Sequence, residues 1–416
     1  VTDAHTTAPD TSAPVPLLEP REGIPAVVAS ASALASVIAA FAAGAGPVAV
    51  DAERASGYRY GQRAYLIQLR RAGAGTALID PVACPDLSEL GEVLRDTEWV
   101  LHAASQDLPC LAGVGMRPVQ LFDTELAGRL AGFARVGLGP MVENVLGFSL
   151  EKGHSAVDWS TRPLPEPWLR YAALDVEVLV ELRDALEQEL RAQDKLGWAL
   201  EEFAAIAVAR PPAPRTDPWR RTSGLHRVRK RRQLAIVRAL WEARDQIARE
   251  RDLSPGRVLQ DAAIIEAALA APASVAALVA LPVFSGRTNR KYADVWFAAV
   301  EQARSLGDEE LPAPVAPHEG PPPTRSWNEK DPQAAARLLA ARAAVAAVAD
   351  EHTLPTENLL TPDTVRRLCW SPPDDLAEPT IADVLRRHGA REWQVRLTAP
   401  VLAGALTRLN TRALET

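Results

Sequence analysis

The run Pro47-Val48-Ala49-Val50-Asp51-Ala52-Glu53 decides how the rest of the chain is read. Its apolar part has the length of a short buried strand, and two acids close it. Residues i and i+2 of a strand face the same side, so both carboxylates point into one space while Ala52 faces away. An isolated Asp-x-Glu is commonly just a solvated strand end. The pair gains meaning only from its surroundings.

Working outward, Tyr65–Leu69, Ala77–Asp80 and Trp99–His102 are three more strand candidates. Ser30 is placed to cap a helix through ALASVIAAFAAG, which Gly44 stops. Leu87 to Leu94 and Leu108 to Leu111 have helical spacing. From Asp123 onward the apolar period is helical and no strand is expected. Strands mixed with helices from Ile24 to about Leu190 predict a central sheet flanked by helices.

Two more acidic positions join the first pair. Asp107, in LHAASQDL, follows a strand and opens a helix, where it also suits the helix dipole. Tyr171 and Asp175, in YAALD, are four apart and share a helix face; alone they describe an ordinary buried hydroxyl. Four acids in one pocket are costly, since each close pair repels by about 4 kcal/mol at an effective dielectric near 20. No side chain nearby in sequence is an evident counter-charge for all of them. Two divalent cations, Mg²⁺ or Mn²⁺, would cancel the charge, and Mg²⁺ prefers oxygen ligands. Two such ions stabilise the attacking and leaving oxygens of an in-line displacement at a phosphodiester. Tyr171 is then placed to orient a water or take its proton.

The stretch Val48 to Leu190 resembles the DEDD superfamily of 3′–5′ exonucleases, in the branch with a tyrosine in its third motif. Asp51-Ala52-Glu53 looks like the first motif, His102-Ala-Ala-Ser-Gln-Asp107 the second, and Tyr171-Ala-Ala-Leu-Asp175 the third. The flanks YLIQL, ALIDP, LFDTELA and DWSTRPLPEPWLRYAALDVEVL resemble the ribonuclease D family. His154 and Asp158 are too close together for the sibling branch, which carries a histidine instead. The resemblance implies a ribonuclease H-like α/β fold. It implies Asp51, Glu53, Asp107 and Asp175 as metal ligands, with Tyr171 as general base or water-positioning group. Asp123 reads as a helix N-terminal or supporting acid rather than a ligand. Gln68 is a candidate contact to the terminal nucleotide. His102 and Ser105 flank the second motif as substrate contacts or as core and capping residues. Arg162 and Trp159 fix a loop, or Arg162 holds a phosphate.

The chain has 416 residues, with 47% hydrophobic and 5% aromatic residues and a formal net charge of −7. That length predicts two or three domains. The charge excludes a protein that coats nucleic acid over its whole surface, though not a local basic path. Residues 1–22 lack a basic segment followed by an apolar one and read as a disordered tail. Three cysteines without metal-ligand spacing predict a reducing, cytoplasmic setting. No membrane span and no small-molecule cofactor are expected, and a monomer is.

Two Pro-rich stretches divide the chain: an exonuclease domain at 23–208, a basic linker at 209–228, a helical unit at 229–306, a linker at 307–325 and a second helical unit at 326–411. The helical units resemble one another at a period of about one hundred residues, through LSPGRVL (253–259) and LPTENLL (354–360). Residues 232–303 resemble the helicase-and-RNase-D C-terminal (HRDC) domain through LWEARDQIARERDLSPGRVLQDAAI and NRKYADVWFAAV. Residues 328–409 look like a diverged second copy. Such all-α bundles imply nucleic-acid binding or partner contacts. Arg220, Arg221, Arg229, Lys230 and Arg231 crowd the first linker, either as a solvated face or as phosphate contacts. Trp219 beside them either stacks on a base or packs.

The expectation is a metal-dependent exoribonuclease that removes nucleotides from RNA 3′ ends, and the resemblance implies structured RNAs carrying a single-stranded tail, such as tRNA precursors, as substrates. A DNA exonuclease of the same chemistry and a non-catalytic RNA-binding scaffold remain alternatives at this level.

Overall fold

A computed structural model describes residues 13–414 except 152, 155, 211, 212, 214 and 316–319. The first unit contains β1 (Val15–Leu17), β2 (Val27–Val28), α1 (Ala31–Ala43), β3 (Ala45–Arg54), β4 (Ala64–Ala72), β5 (Gly75–Ile79), α2 (Ser88–Val93) and β6 (Glu98–Leu101). It continues with α3 (Leu108–Ala112), β7 (Gln120–Asp123), α4 (Thr124–Leu130), α5 (Leu138–Leu146), β8 (Phe148–Leu150), α6 (Glu166–Glu177), α7 (Leu179–Ala192) and α8 (Leu196–Ala207). Six strands form one mixed sheet in the order β2-β5-β4-β3-β6-β7, with β3 antiparallel to β4 and parallel to β6.

The central strands are continuous apolar runs because both of their faces are covered. Val48, Val50, Ile67 and Leu69 have no exposed surface. Each such side chain contributes about 1.5–3 kcal/mol on burial. The other face of β3 and β4 lies under α6, where Leu66, Leu78, Trp159, Ala172 and Ala173 make a satellite core. Asp51 pairs with Gln68 and Glu53 with Leu66 in the ladder, so the acidic pair belongs to the α6 face. The strand end, the Ser30 cap and the α6 helix all stand where the spacing put them.

Two expectations are corrected. Strands do not stop at Asp123: β8 lies beyond it and pairs in parallel with β1. The expected disordered tail is ordered from residue 13, residues 1–12 lying outside the described residues. Its backbone is satisfied by β8, beginning with the Val15 N–H to the Gly147 carbonyl at 2.8 Å. Three-residue strands with a proline carry too little pattern to be read locally.

The second unit holds α9 (Arg231–Arg251), α10 (Pro255–Val258), α11 (Asp261–Ala270), α12 (Val275–Val279), α13 (Arg287–Lys291) and α14 (Ala293–Ser305). Its core also takes in Trp219 and Val228, from the stretch read as linker. The third holds α15 (Trp327–Lys330), α16 (Pro332–Glu351), α17 (Thr356–Leu359), α18 (Pro362–Trp370), α19 (Glu378–Arg387) and α20 (Glu392–Leu414). Its core is continuous with that of the first unit. Trp198 of α8 stacks on Trp393 of α20 at 5.1 Å and 10°. The second unit instead grips the loop after β3. Ser254 N–H donates to the Tyr58 carbonyl at 2.9 Å, Arg257 to that of Gly57 at 3.0 Å, and the Tyr60 hydroxyl to Asp245 at 3.0 Å.

Candidate active site

Asp51 and Glu53 leave the end of β3 on the face covered by α6, which brings Asp175. One carboxylate oxygen from each of the three lies within 4.8 Å of the others. Glu53 is only 9% exposed. Burial, the first cause, drives all three carboxyls above their ordinary range. The Asp51, Asp175 and Asp107 charges add to this at Glu53, and the Asp51 charge adds to it at Asp175. Asp107 stands beside this trio, not within it. Burial and the Asp51 charge push it up to about 8, against the pull of Arg54.

Arg54 escaped the sequence reading. Strand alternation would turn it away from Glu53. The β3–β4 ladder shifts register between Glu53 and Arg54, and such irregularities re-aim side chains. Its guanidinium comes 3.4 Å from Asp107. One guanidinium faces four carboxyls, so the pocket would carry a net negative charge once they lose their protons. Oxygen-only donors in that state fit a hard divalent cation and no soft one.

The second motif is held by Asp123. Ala103 has a left-handed backbone with φ 59°, which is unfavourable for a residue with a Cβ. The Asp123 carboxylate accepts from Ala103 N–H at 3.1 Å and Ala104 N–H at 2.9 Å, and also caps α4. Asp123 is thus a supporting acid that fixes the turn leading to Asp107. The Thr124 hydroxyl donates to the Leu101 carbonyl, so it accepts from His102 Nδ1 at 2.9 Å. Burial lowers His102 to about 4, leaving it neutral at pH 7.

Tyr171 hydrogen-bonds Asp175, and burial together with the Asp175 and Glu53 charges raises its phenol far above normal. It therefore stays protonated. The His154 ring meets the Tyr171 ring edge-on at 5.7 Å.

The structure separates the expected nucleic-acid contacts. Gln68 is wholly buried opposite Asp51, and neither of its amide atoms has a partner among the described residues. Arg162 spends all five of its N–H donors inside the protein: two on Asp80 and one each on the carbonyls of Tyr65, Trp159 and Thr161, at 2.7–2.8 Å. It fixes the loop before α6 and leaves no donor for a phosphate. Arg220 stacks 4.3 Å over the buried Trp219 and donates to Asp217 and the Ala313 carbonyl. Arg231 donates to the carbonyls of Asp308, Leu311 and Pro312. Both fasten the second linker. Arg221, Arg229 and Lys230 are exposed.

A sheet that gathers three carboxyls able to hold a metal ion on one face beneath a tyrosine-bearing helix, followed by helical bundles, has the form of a metal-dependent nuclease of the exonuclease class. Residues 25–191 match a family model described as 3′-5′ exonuclease, 233–300 the HRDC domain, and 320–406 a 3′ to 5′ exonuclease C-terminal domain. Only one HRDC match is found, so the third unit matches under a different description. Ribonuclease D of Gluconacetobacter diazotrophicus is 32% identical over 79% of this chain and 82% of its own. That of Escherichia coli is 35% identical over 64% and 72%. A crystal structure of a Bifidobacterium adolescentis protein aligns with TM-score 0.85 and 37% identity over 95% of this chain and 100% of that one. The structure of Escherichia coli RNase D, described as an exoribonuclease involved in structured RNA processing, aligns with TM-score 0.67 and 29% identity over 92% and 98%. The chain belongs to the ribonuclease D family. Its activity is that of a metal-dependent 3′–5′ exoribonuclease. Among the described residues no helix is long and apolar enough to cross a membrane.

Proposed function

We propose that Asp51, Glu53, Asp107 and Asp175 hold two divalent cations, Mg²⁺ or Mn²⁺, and that the protein removes nucleotides one at a time from RNA 3′ ends as 5′-monophosphates. The observation that carries this is the convergence of three carboxylates on one face of the sheet, beside a fourth, in a chain of this family. When bound, the cations supply a more acidic water and stabilise charge on the phosphodiester oxygens. Tyr171, hydrogen-bonded to Asp175, orients the attacking water, and its place four residues before Asp175 on α6 supports the reading of a tyrosine-branch enzyme. Arg54 tethers Asp107, and Asp123 fixes the turn that presents it.

The domain division is an exonuclease unit that takes in β1 and ends near residue 208, a helical unit that begins at Trp219 rather than at 229 and ends near 306, and a third unit at 326–411. The third unit is a second HRDC-like bundle: α16, α17 and α18 repeat the long helix, the four-residue helix after a proline turn and the following helix of α9, α10 and α11. The substrate is structured RNA with a single-stranded 3′ tail, tRNA precursors included. Arg221, Arg229 and Lys230 contact phosphates, and the protein works as a cytoplasmic monomer.

The test compares hairpins of identical sequence, as RNA and as DNA, blunt or with a 3′ overhang, digested in Mg²⁺ with and without EDTA. Fast loss of the RNA overhang as mononucleotides is expected. Equal rates on DNA would make it a general 3′ exonuclease, and retention of intact RNA by a protein that binds it would make it a scaffold.

A further inference from the structure

Glu177 is a carboxylate with a side chain that is 0% exposed, two residues beyond Asp175 on α6. Neither of its oxygens makes a hydrogen bond among the described residues. Its partners are ionic: Arg70 Nη2 at 3.5 Å and Arg21 Nε at 3.7 Å. Arg70 lies on β4, two residues from Gln68 and therefore on the same face. Gln68 is the ladder partner of Asp51. Arg70 also reaches Glu22 and Thr76, and Arg21 also pairs with Glu181 on α7. Glu19, on the same N-terminal segment, binds Arg170 of α6 at 3.2 Å.

A buried ion pair is a poor device for stability. Apolar replacements of similar volume are often neutral or stabilising, because desolvation offsets most of the Coulombic gain. What this lattice does supply is registration. It runs from Asp51 through its strand neighbour to Arg70, across to Glu177, and back two residues to Asp175. The two halves of the carboxylate trio come from elements distant in sequence, and this is a short charged connection between them.

We propose that Glu177, anchored by Arg70 and by Arg21 of the N-terminal segment, is a positioning residue that sets α6 against β3 and so fixes Asp175 and Tyr171 relative to Asp51 and Glu53. Glu177 touches no reacting group. It acts through the helix. The inference rests on the reading of the trio as a cation site, and its test separates the two.

The experiment uses the full chain. The double variant Glu177→Leu with Arg70→Met removes the charges and keeps the volume. Mn²⁺ affinity is titrated calorimetrically without RNA, and kcat and KM are measured on an RNA with a 3′ overhang. The double variant is expected to melt no lower than the parent. It binds Mn²⁺ about tenfold more weakly, with kcat down about ten- to a hundredfold and KM unchanged, as a small misplacement of reacting groups produces. Parental Mn²⁺ affinity and kcat in the double variant would overturn the proposal. Should the pair unfold, Glu177→Gln and Glu177→Asp decide: the aspartate, which keeps the charge, must recover most of the Mn²⁺ affinity that the glutamine loses, and equal behaviour of the two overturns it. A parent that binds no Mn²⁺ would sink the cation-site reading instead.

Discussion

Asp51, Glu53 and Asp175 repel one another in a buried pocket, and that sets the behaviour of the metal-free protein. Asp107, pushed up to about 8, has an ordinary unfolded value near 4. Between those values the folded state binds more protons than the unfolded one, so stability falls as pH rises. Thermal melts in EDTA should therefore drop in Tm from pH 5 to pH 8, and saturating Mg²⁺ should remove the slope. Glu53→Gln should raise the Tm of the metal-free protein by about 2–4 °C while abolishing turnover. Asp175→Ala should likewise abolish turnover in single-turnover digestion, with RNA affinity by filter binding retained. Tyr171→Phe should slow digestion by about 10² or more; a Phe variant as fast as the parent would remove Tyr171 from the mechanism. Strand and helix periods put Asp51 with Glu53 and Tyr171 with Asp175, while the meeting of these pairs beside Asp107 was an expectation carried by the joint motif pattern and the family resemblance. Arg54 was not legible, because a register shift in the ladder breaks the strand alternation.

Helix α6 owes its placement to the loop that precedes it. Arg162 ties that loop to β4 and Asp80 through three hydrogen bonds and closes on the loop's own Trp159 and Thr161 carbonyls through two more, and the Trp159 indole is buried beneath it. Arg162→Ala should cost about 3–5 kcal/mol, as loss of one partner of a largely buried pair does, and lower kcat with it. RNA affinity and its salt dependence should not change; a shallower salt slope would show that Arg162 touches phosphate after all. The helices and long strands were readable from apolar period. The pairing of β1 with β8 was not, since parallel partners more than a hundred residues apart leave no local trace. Nor could spacing reveal that Arg220 and Arg231 are occupied by carbonyls of the second linker.

At the scale of the whole molecule, the second unit grips the loop that follows Glu53, while the third is fused to the back of the first through α8 and α20. The helical nature of both units was plain from composition and period. Which surface each would dock on was not, because docking is decided by single side chains such as Tyr60, Arg257 and Trp393. Arg221, Arg229 and Lys230 remain exposed on the gripping unit. Replacing all three by Ala should weaken RNA binding and flatten its salt dependence by about 0.7 in log–log slope for each phosphate no longer neutralised, with digestion of short oligonucleotides barely affected.

That acids from separate elements converge to hold divalent cations is best tested by anomalous diffraction from crystals soaked in Mn²⁺. Anomalous peaks are expected between the carboxylates of Asp51, Glu53 and Asp175, with a second ion next to Asp107. Carboxylates splayed apart with no ion between them would contradict the cation site and the mechanism built on it.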